Sequence, residues 1–162
     1  MNRSYSAEDF RHIVSVFREE IPKVTLSTDI ICGFPGETRS AFERTVRLVE
    51  EVEPGIVNIS RFFPRPGTRA GSMKRLPVEE VKNRSRKLSE LVKKISFERN
   101  KTWLDWEGKI LIDEKGRDNT WIGRNFAYKP IVVTSPEDLL GRFVYAHVNE
   151  AFSTYLRAEI LT

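Results

Sequence analysis

The apolar pattern changes its period once, close to residue 103, and that change limits what this chain can fold into. Before it, apolar residues recur at helical spacing in stretches separated by short β-branched runs. After it, only short strand-like segments remain, punctuated by turn residues. The fold class implied is α/β followed by all-β, with two domains, residues 1–102 and residues 103–162.

In the first part, Ser6 followed by Asp9 opens a helix in the manner of a capping box. Phe10, Ile13, Val14, Phe17 and Ile21 form its apolar stripe, and Pro22 ends it. Residues 24–31 read as a buried strand, running into the turn Gly33-Phe34-Pro35-Gly36-Glu37-Thr38. Thr38 can cap a second helix, striped by Phe42, Thr45, Val46, Val49 and Val52, which Pro54-Gly55 breaks. A second strand is predicted over residues 56–63. Helix and strand alternating at this spacing imply parallel strands joined by crossover helices. Two strands and two helices cannot cover both faces of a sheet, so this unit reads as incomplete, with edges open to self-association.

A long helix is predicted from about Pro77 to Leu104, with Val78, Val81, Leu88, Leu91, Val92 and Ile95 on its apolar face. Its charge is lopsided. Residues 74–101 carry 10 basic and 4 acidic side chains, a balance of +6, whereas residues 103–162 carry 7 and 9, a balance of −2. The basic connecting helix over residues 77–102 is therefore either a solvated face or a site for a polyanion. Beyond it, strands are expected at residues 109–113, 120–124, 130–134, 142–148 and 155–161. Five such strands predict a small closed or nearly closed barrel. Trp121, Phe143 and Tyr145 are candidates for its core, Phe143 foremost.

Composition excludes several classes. With 40% hydrophobic and 31% charged residues the chain is not of disordered type. No apolar run is long enough to cross a bilayer and the start shows no secretory-signal pattern, so the cytoplasm is expected. The single cysteine, Cys32, excludes an internal disulfide and a multi-cysteine metal site. His12 and His147 are too far apart in sequence to promise a zinc site, so no metal ligands are assigned. The Gly33–Thr38 turn is not a phosphate-binding P-loop, because the closing Gly-Lys-Ser/Thr is absent. By spacing alone it is either a tight strand-to-helix connection or a loop that lets a ligand approach the backbone.

Four blocks, in order, carry a resemblance. Met1-Asn2-Arg3-Ser4-Tyr5, Thr28-Asp29-Ile30-Ile31-Cys32-Gly33-Phe34-Pro35-Gly36-Glu37-Thr38, and Asn58-Ile59-Ser60-Arg61-Phe62 with Arg65-Pro66-Gly67-Thr68-Arg69-Ala70 resemble motifs of the radical-SAM tRNA methylthiotransferases. The segment from Gly108-Lys109-Ile110-Leu111-Ile112-Asp113-Glu114 onward is similar to a TRAM domain. The resemblance implies the last part of a partial parallel α/β radical-SAM barrel, then a five-stranded, OB-like TRAM barrel. For the parent enzyme it implies two 4Fe–4S clusters, S-adenosylmethionine, and a tRNA substrate held by its anticodon stem-loop. The Asn-Ile-Ser-Arg-Phe wording leans toward the archaeal and eukaryotic branch, which acts on N6-threonylcarbamoyladenosine at position 37.

The same resemblance implies site residues. Arg3, Ile31, Gly33 and Phe62 are candidates to contact S-adenosylmethionine. Lys93, Lys94, Lys109, Arg124, Lys129 and Arg142 are candidates for RNA, with Phe126 and Tyr128 in a nearby loop where exposed rings can stack on bases. The family holds its clusters with cysteines upstream of the motifs seen here, and a cluster needs several thiolates. With Cys32 alone, read as a buried hydrophobe, this chain is expected to bind no cofactor, to have no catalytic residue of its own and to be silent by itself. The rival reading is a non-catalytic RNA-binding adaptor built on the TRAM module.

Overall fold

The computed structural model describes residues 4–161, which contain three α-helices and seven strands. They divide into two compact units between Val92 and Lys93.

In the first unit, α1 (Ala7–Glu20) starts where the sequence places it. The Ser6 amide donates to the Asp9 carboxylate at 2.8 Å, and the Asp9 amide donates to the Ser6 hydroxyl at 3.1 Å. These bonds from Ser6 also hold the Asp9 carboxyl below its ordinary pKa. Strand β1 (Ser27–Cys32) leads to α2 (Arg39–Val52), capped by the Thr38 hydroxyl, which accepts from the Ala41 amide at 3.1 Å. Arg18 of α1 donates to the carbonyls of Val52 and Glu53, supplying a cation at the negative end of α2. Strand β2 (Ile56–Arg61) pairs with β1 in parallel, from Ser27 opposite Ile56 to Cys32 opposite Arg61. A single 3₁₀ turn at Arg69–Ser72 precedes α3 (Val78–Lys101).

The core of this unit consists of Val14, Cys32, Phe42, Val46, Val49, Val52 and Leu88. The stripe expected on α1 is only partly used: Val14 is buried, but Ile13, Phe17 and Ile21 stay exposed. The helix meets α2 only over a short stretch, which leaves most of its apolar stripe uncovered. Among the described residues, β1 and β2 form a two-stranded sheet and no α/β barrel closes.

In the second unit the last two turns of α3 contribute Ile95 and Asn100 to the buried set. The helix ends at Lys101, three residues short of expectation, because the chain turns there to place Trp103 in the barrel core. Five strands follow: β3 (Glu107–Lys115), β4 (Thr120–Arg124), β5 (Pro130–Thr134), β6 (Phe143–Ala151) and β7 (Leu156–Leu161). They close in the order β3-β4-β5-β7-β6, with β5 and β7 parallel and the other pairs antiparallel. Ile110, Ile112, Trp121, Ile131, Val133, Ala146, Val148 and Leu156 fill the interior with Trp103. Gly123 is required by that filling: a Cβ there would come within 2.9 Å of Ile110 Cδ1 and 3.0 Å of Ile112 Cδ1.

Phe143 corrects the core assignment made from sequence. It is 60% exposed, and Tyr145 is 58% exposed, while Trp121 is buried. Either parity of β6 is apolar, and a five-stranded barrel already holding two tryptophans has room for Ala146 and Val148, not for two more rings. No helix among the described residues is long and apolar enough to cross a membrane.

Candidate functional site

Parallel strands offer ligands the crevice beyond their carboxyl ends. Beyond β1 and β2 a cavity of about 620 Å³ is lined by Asp29, Ile31, Phe34, Arg61, Phe62 and Arg65, among others. Phe34 and Phe62 meet edge to face, 5.3 Å between centroids. Asn58 donates to Asp29 at 2.8 Å across the paired strands, and Arg61 donates to Ser85 of α3 at 2.9 Å. The structure thus brings Ile31 and Phe62 together on an apolar wall with arginines near it. Arg3 lies outside the described residues.

Gly33 stands apart from that wall. Its φ is +78°, and a Cβ on it would come within 2.5 Å of Val81 Cγ2 on α3. Its amide is already engaged, donating to Glu37 Oε2 at 3.0 Å. The glycine is therefore there to admit the helix. Glu37 braces the turn, taking this amide and the guanidinium of Arg84 at 2.6 Å. Burial works against the charge of Arg84, but the hydrogen bonds to Glu37 and Glu80 outweigh it and raise its pKa. After β2, Pro64, Arg65, Thr68, Arg69 and Arg75 line a second cavity of about 670 Å³, suited by its arginines to an anion.

Iron–sulfur clusters need several thiolates. The chain has one, Cys32, which is buried, with its thiol pushed up to about 11 by desolvation and by the Glu37 carboxylate. Among the described residues no group of three or more His, Cys, Asp or Glu side chains gathers to hold a metal. These residues do not fit a cluster.

The cationic residues separate into two kinds. Lys93 and Lys94 are exposed on α3, and Lys109 and Arg142 are exposed on the barrel. Arg124 pairs with Asp113 at 3.3 Å and lies over the Tyr128 ring at 5.2 Å. Lys129 corrects the sequence assignment, because it is buried and its ammonium donates to Asn100 Oδ1 at 2.9 Å. The cause lies in its loop. Asn125 Oδ1 accepts from the amides of Ala127 and Lys129, which turns Phe126 and Tyr128 outward and Lys129 inward. Asn100 passes the connection on, donating to the Phe152 carbonyl at 2.7 Å. Burial, aided by Arg99, pushes the Lys129 ammonium down to about 8. Phe143 and Tyr145 are surface residues that the sequence does not single out, because Val144, Ala146 and Val148 on the other parity are apolar as well.

The TRAM domain family matches residues 107–161, the segment that forms the closed barrel. A protein from Pyrococcus horikoshii named probable threonylcarbamoyladenosine tRNA methylthiotransferase is 44% identical over the whole of this chain. Its counterpart from Pyrococcus abyssi is 40% identical over the whole chain, and the Drosophila melanogaster protein of that name is 37% identical over 99% of it. The chain spans 38% of the length of the two Pyrococcus relatives and 29% of the Drosophila one. Residues 107–161 match the TRAM domain family, and the chain as a whole is similar to proteins named threonylcarbamoyladenosine tRNA methylthiotransferase.

Proposed function

We propose that this chain supplies the tRNA-gripping surface of a methylthiotransferase that converts N6-threonylcarbamoyladenosine at position 37 of tRNA to its 2-methylthio derivative. The observation that carries this is similarity to enzymes of that name across the full chain, through the α/β motifs as well as the TRAM barrel. An adaptor that had kept only RNA binding would have no need of the Gly33–Thr38 turn or of the wall made by Ile31, Phe34 and Phe62.

Within this reading the two units divide the work. The barrel and the Lys93–Lys94 region of α3 hold the anticodon stem-loop, with the lysines neutralising phosphates. The wall beyond β1 and β2 faces S-adenosylmethionine. Ile31 and Phe62 offer apolar contact to its adenine, and Arg61 and Arg65 are suited to its carboxylate. The α/β unit then contributes to a partial parallel radical-SAM barrel, and the free edges of β1 and β2 make the chain self-associate when alone. Any iron–sulfur cluster serving the reaction takes its thiolates from residues outside this sequence.

The test is tRNA binding by the chain, followed by fluorescence anisotropy over a range of salt. A tRNA transcript is expected to bind with a steep salt dependence and to be displaced by its isolated anticodon stem-loop. Reversing Lys93 and Lys94 to glutamate is expected to reduce the salt slope by about two. Equal displacement by heparin and by the stem-loop, at matched charge, would count against recognition of tRNA. Appearance of cluster absorbance after anaerobic reconstitution would refute the ligand argument.

A further inference from the structure

The outer face of β3 and β6 carries large side chains that the core does not use. Along β3 the outward positions include Lys109 and Leu111, and along β6 they include Phe143 and Tyr145. The register sets Lys109 opposite Tyr145 and Leu111 opposite Phe143, so the four share one surface. On its other side Leu111 stands opposite Arg124 of β4. That guanidinium lies over Tyr128, and the Lys109 ammonium lies 4.4 Å from the centre of the Phe143 ring. Tyr128 is held outward by its backbone, with φ of +61° and its amide donating to the Asn125 carbonyl at 2.9 Å. A row of rings and cations results, exposed to solvent except at Arg124, which is half-buried.

The chemistry of the row says what it fits. Cores of protein–protein contacts are poor in lysine, whereas here the Lys109 ammonium and the Arg124 guanidinium each lie over a ring, and the aliphatic side chains beside the rings are Leu111 and Leu161, the latter opposite Tyr145. Single-stranded nucleic acid has the complement: flat bases for ring faces and phosphates for cations. Residues two apart on a strand are separated by about 6.6 Å, roughly twice the 3.4 Å rise of stacked bases. Phe143 and Tyr145 therefore suit bases drawn out of a stack, not a duplex. The outward positions of β4 and β5 include Thr120, Ile122, Val132 and Thr134, with no ring among them. Glu107 and Asp113 bracket the β3 positions, and Asp113 already pairs with Arg124, so the place for a phosphate is over Lys109.

We propose that this face is a stacking platform for unpaired bases of RNA, Phe143 and Tyr145 each receiving one base, Tyr128 with Arg124 a third, and Lys109 a phosphate. The inference rests on the RNA-binding role proposed above and assigns it to one surface of the barrel.

The test uses the 162-residue chain with both Phe143→Thr and Tyr145→Thr, since threonine keeps strand propensity while removing the ring. Three probes are compared by anisotropy: an unstructured twelve-nucleotide RNA, its blunt duplex, and a tRNA transcript. Loss of two stacked bases is expected to weaken binding of the single strand and the tRNA at least about tenfold, with the salt slope and duplex binding unchanged. Phe143→Trp with Tyr145→Trp is expected to retain binding, and Lys109→Ala to lower the salt slope by about one. If the chain binds tRNA and the double variant binds both probes like the wild type, the platform is wrong and the RNA role stands. If the chain binds no RNA, both fall. A double variant that alters only the sedimenting mass would make this face a contact between copies, which overturns the proposal. Tryptophan fluorescence checks the variant's fold; should the pair of changes unfold it, Tyr145→Thr alone gives the same comparison.

Discussion

One guanidinium nitrogen of Arg84 reaches both the backbone carbonyl and the carboxylate of Glu37, at 2.9 and 2.6 Å. Both side chains are largely buried, and the second nitrogen goes to Glu80. Glu37 closes the turn by accepting the Gly33 amide. Truncating one member of a buried pair leaves the other charged and unsolvated. Arg84→Met is expected to destabilise the α/β unit by about 3 kcal/mol or more, read as lost hydrogen-exchange protection in β1 and α2. Unchanged protection would mean that the turn stands without its brace.

Two glycines in that turn separate space from conformation. Gly33 and Gly36 both have positive φ, +78° and +85°. A Cβ on Gly36 meets nothing within 4 Å, whereas one on Gly33 runs into Val81. Gly36→Ala is expected to cost about 1 kcal/mol from backbone strain. Gly33→Ala adds overpacking and should cost a further 1–3 kcal/mol, approximately. Denaturant midpoints followed by circular dichroism compare the two. Equal costs would remove Val81 from the account.

Lys129 gives the barrel a pH dependence of unusual sign. Burial brings its ammonium down to about 8 from an ordinary 10.5. Between those values the unfolded chain holds a proton that the folded chain has released, so stability rises with pH across the window. Below about 8 both states are protonated and the full cost of the buried charge is present. The three tryptophans, Trp103, Trp106 and Trp121, all lie in the second unit, so their fluorescence reports on the barrel and leaves Cys32 out. The urea midpoint of the wild type is expected to rise relative to that of Lys129→Met between pH 7.5 and 10. A constant difference would show that the lysine does not titrate in this range.

The parity of β6 is open to a direct check by tryptophan fluorescence. Phe143→Thr removes an outward ring and should cost less than about 1 kcal/mol. Ile131→Ala opens the filled interior, where the side chain is fully buried, and should cost about 2–5 kcal/mol. A Phe143 variant as damaging as the Ile131 one would return the ring to the core.

Much of this fold is legible in the sequence because turn residues and period decide it locally. Thr120–Arg124 and Pro130–Thr134 are found at the expected bounds, and Ser6 and Thr38 cap the helices they were expected to cap. What sequence does not reveal depends on volume and on distant partners. Both faces of β6 look apolar, and the choice falls to whichever set fits a small interior. Lys129 looks like any loop lysine until Asn125 folds the loop and Asn100 arrives from the helix to receive it. Gly33 looks like an invitation to a ligand, yet the space beside it belongs to Val81.

One seam in the barrel is shorter than the rest. Strands β5 and β7 share only two register pairs, Ile131 with Leu156 and Val132 with Arg157, whereas β3 and β6 share five. Closure is thus a cylinder fastened by one brief stitch. Local opening is expected to begin where the fewest bonds must part, baring Ile131 and Leu156 while the wall that bears Phe143 and Tyr145 stays paired.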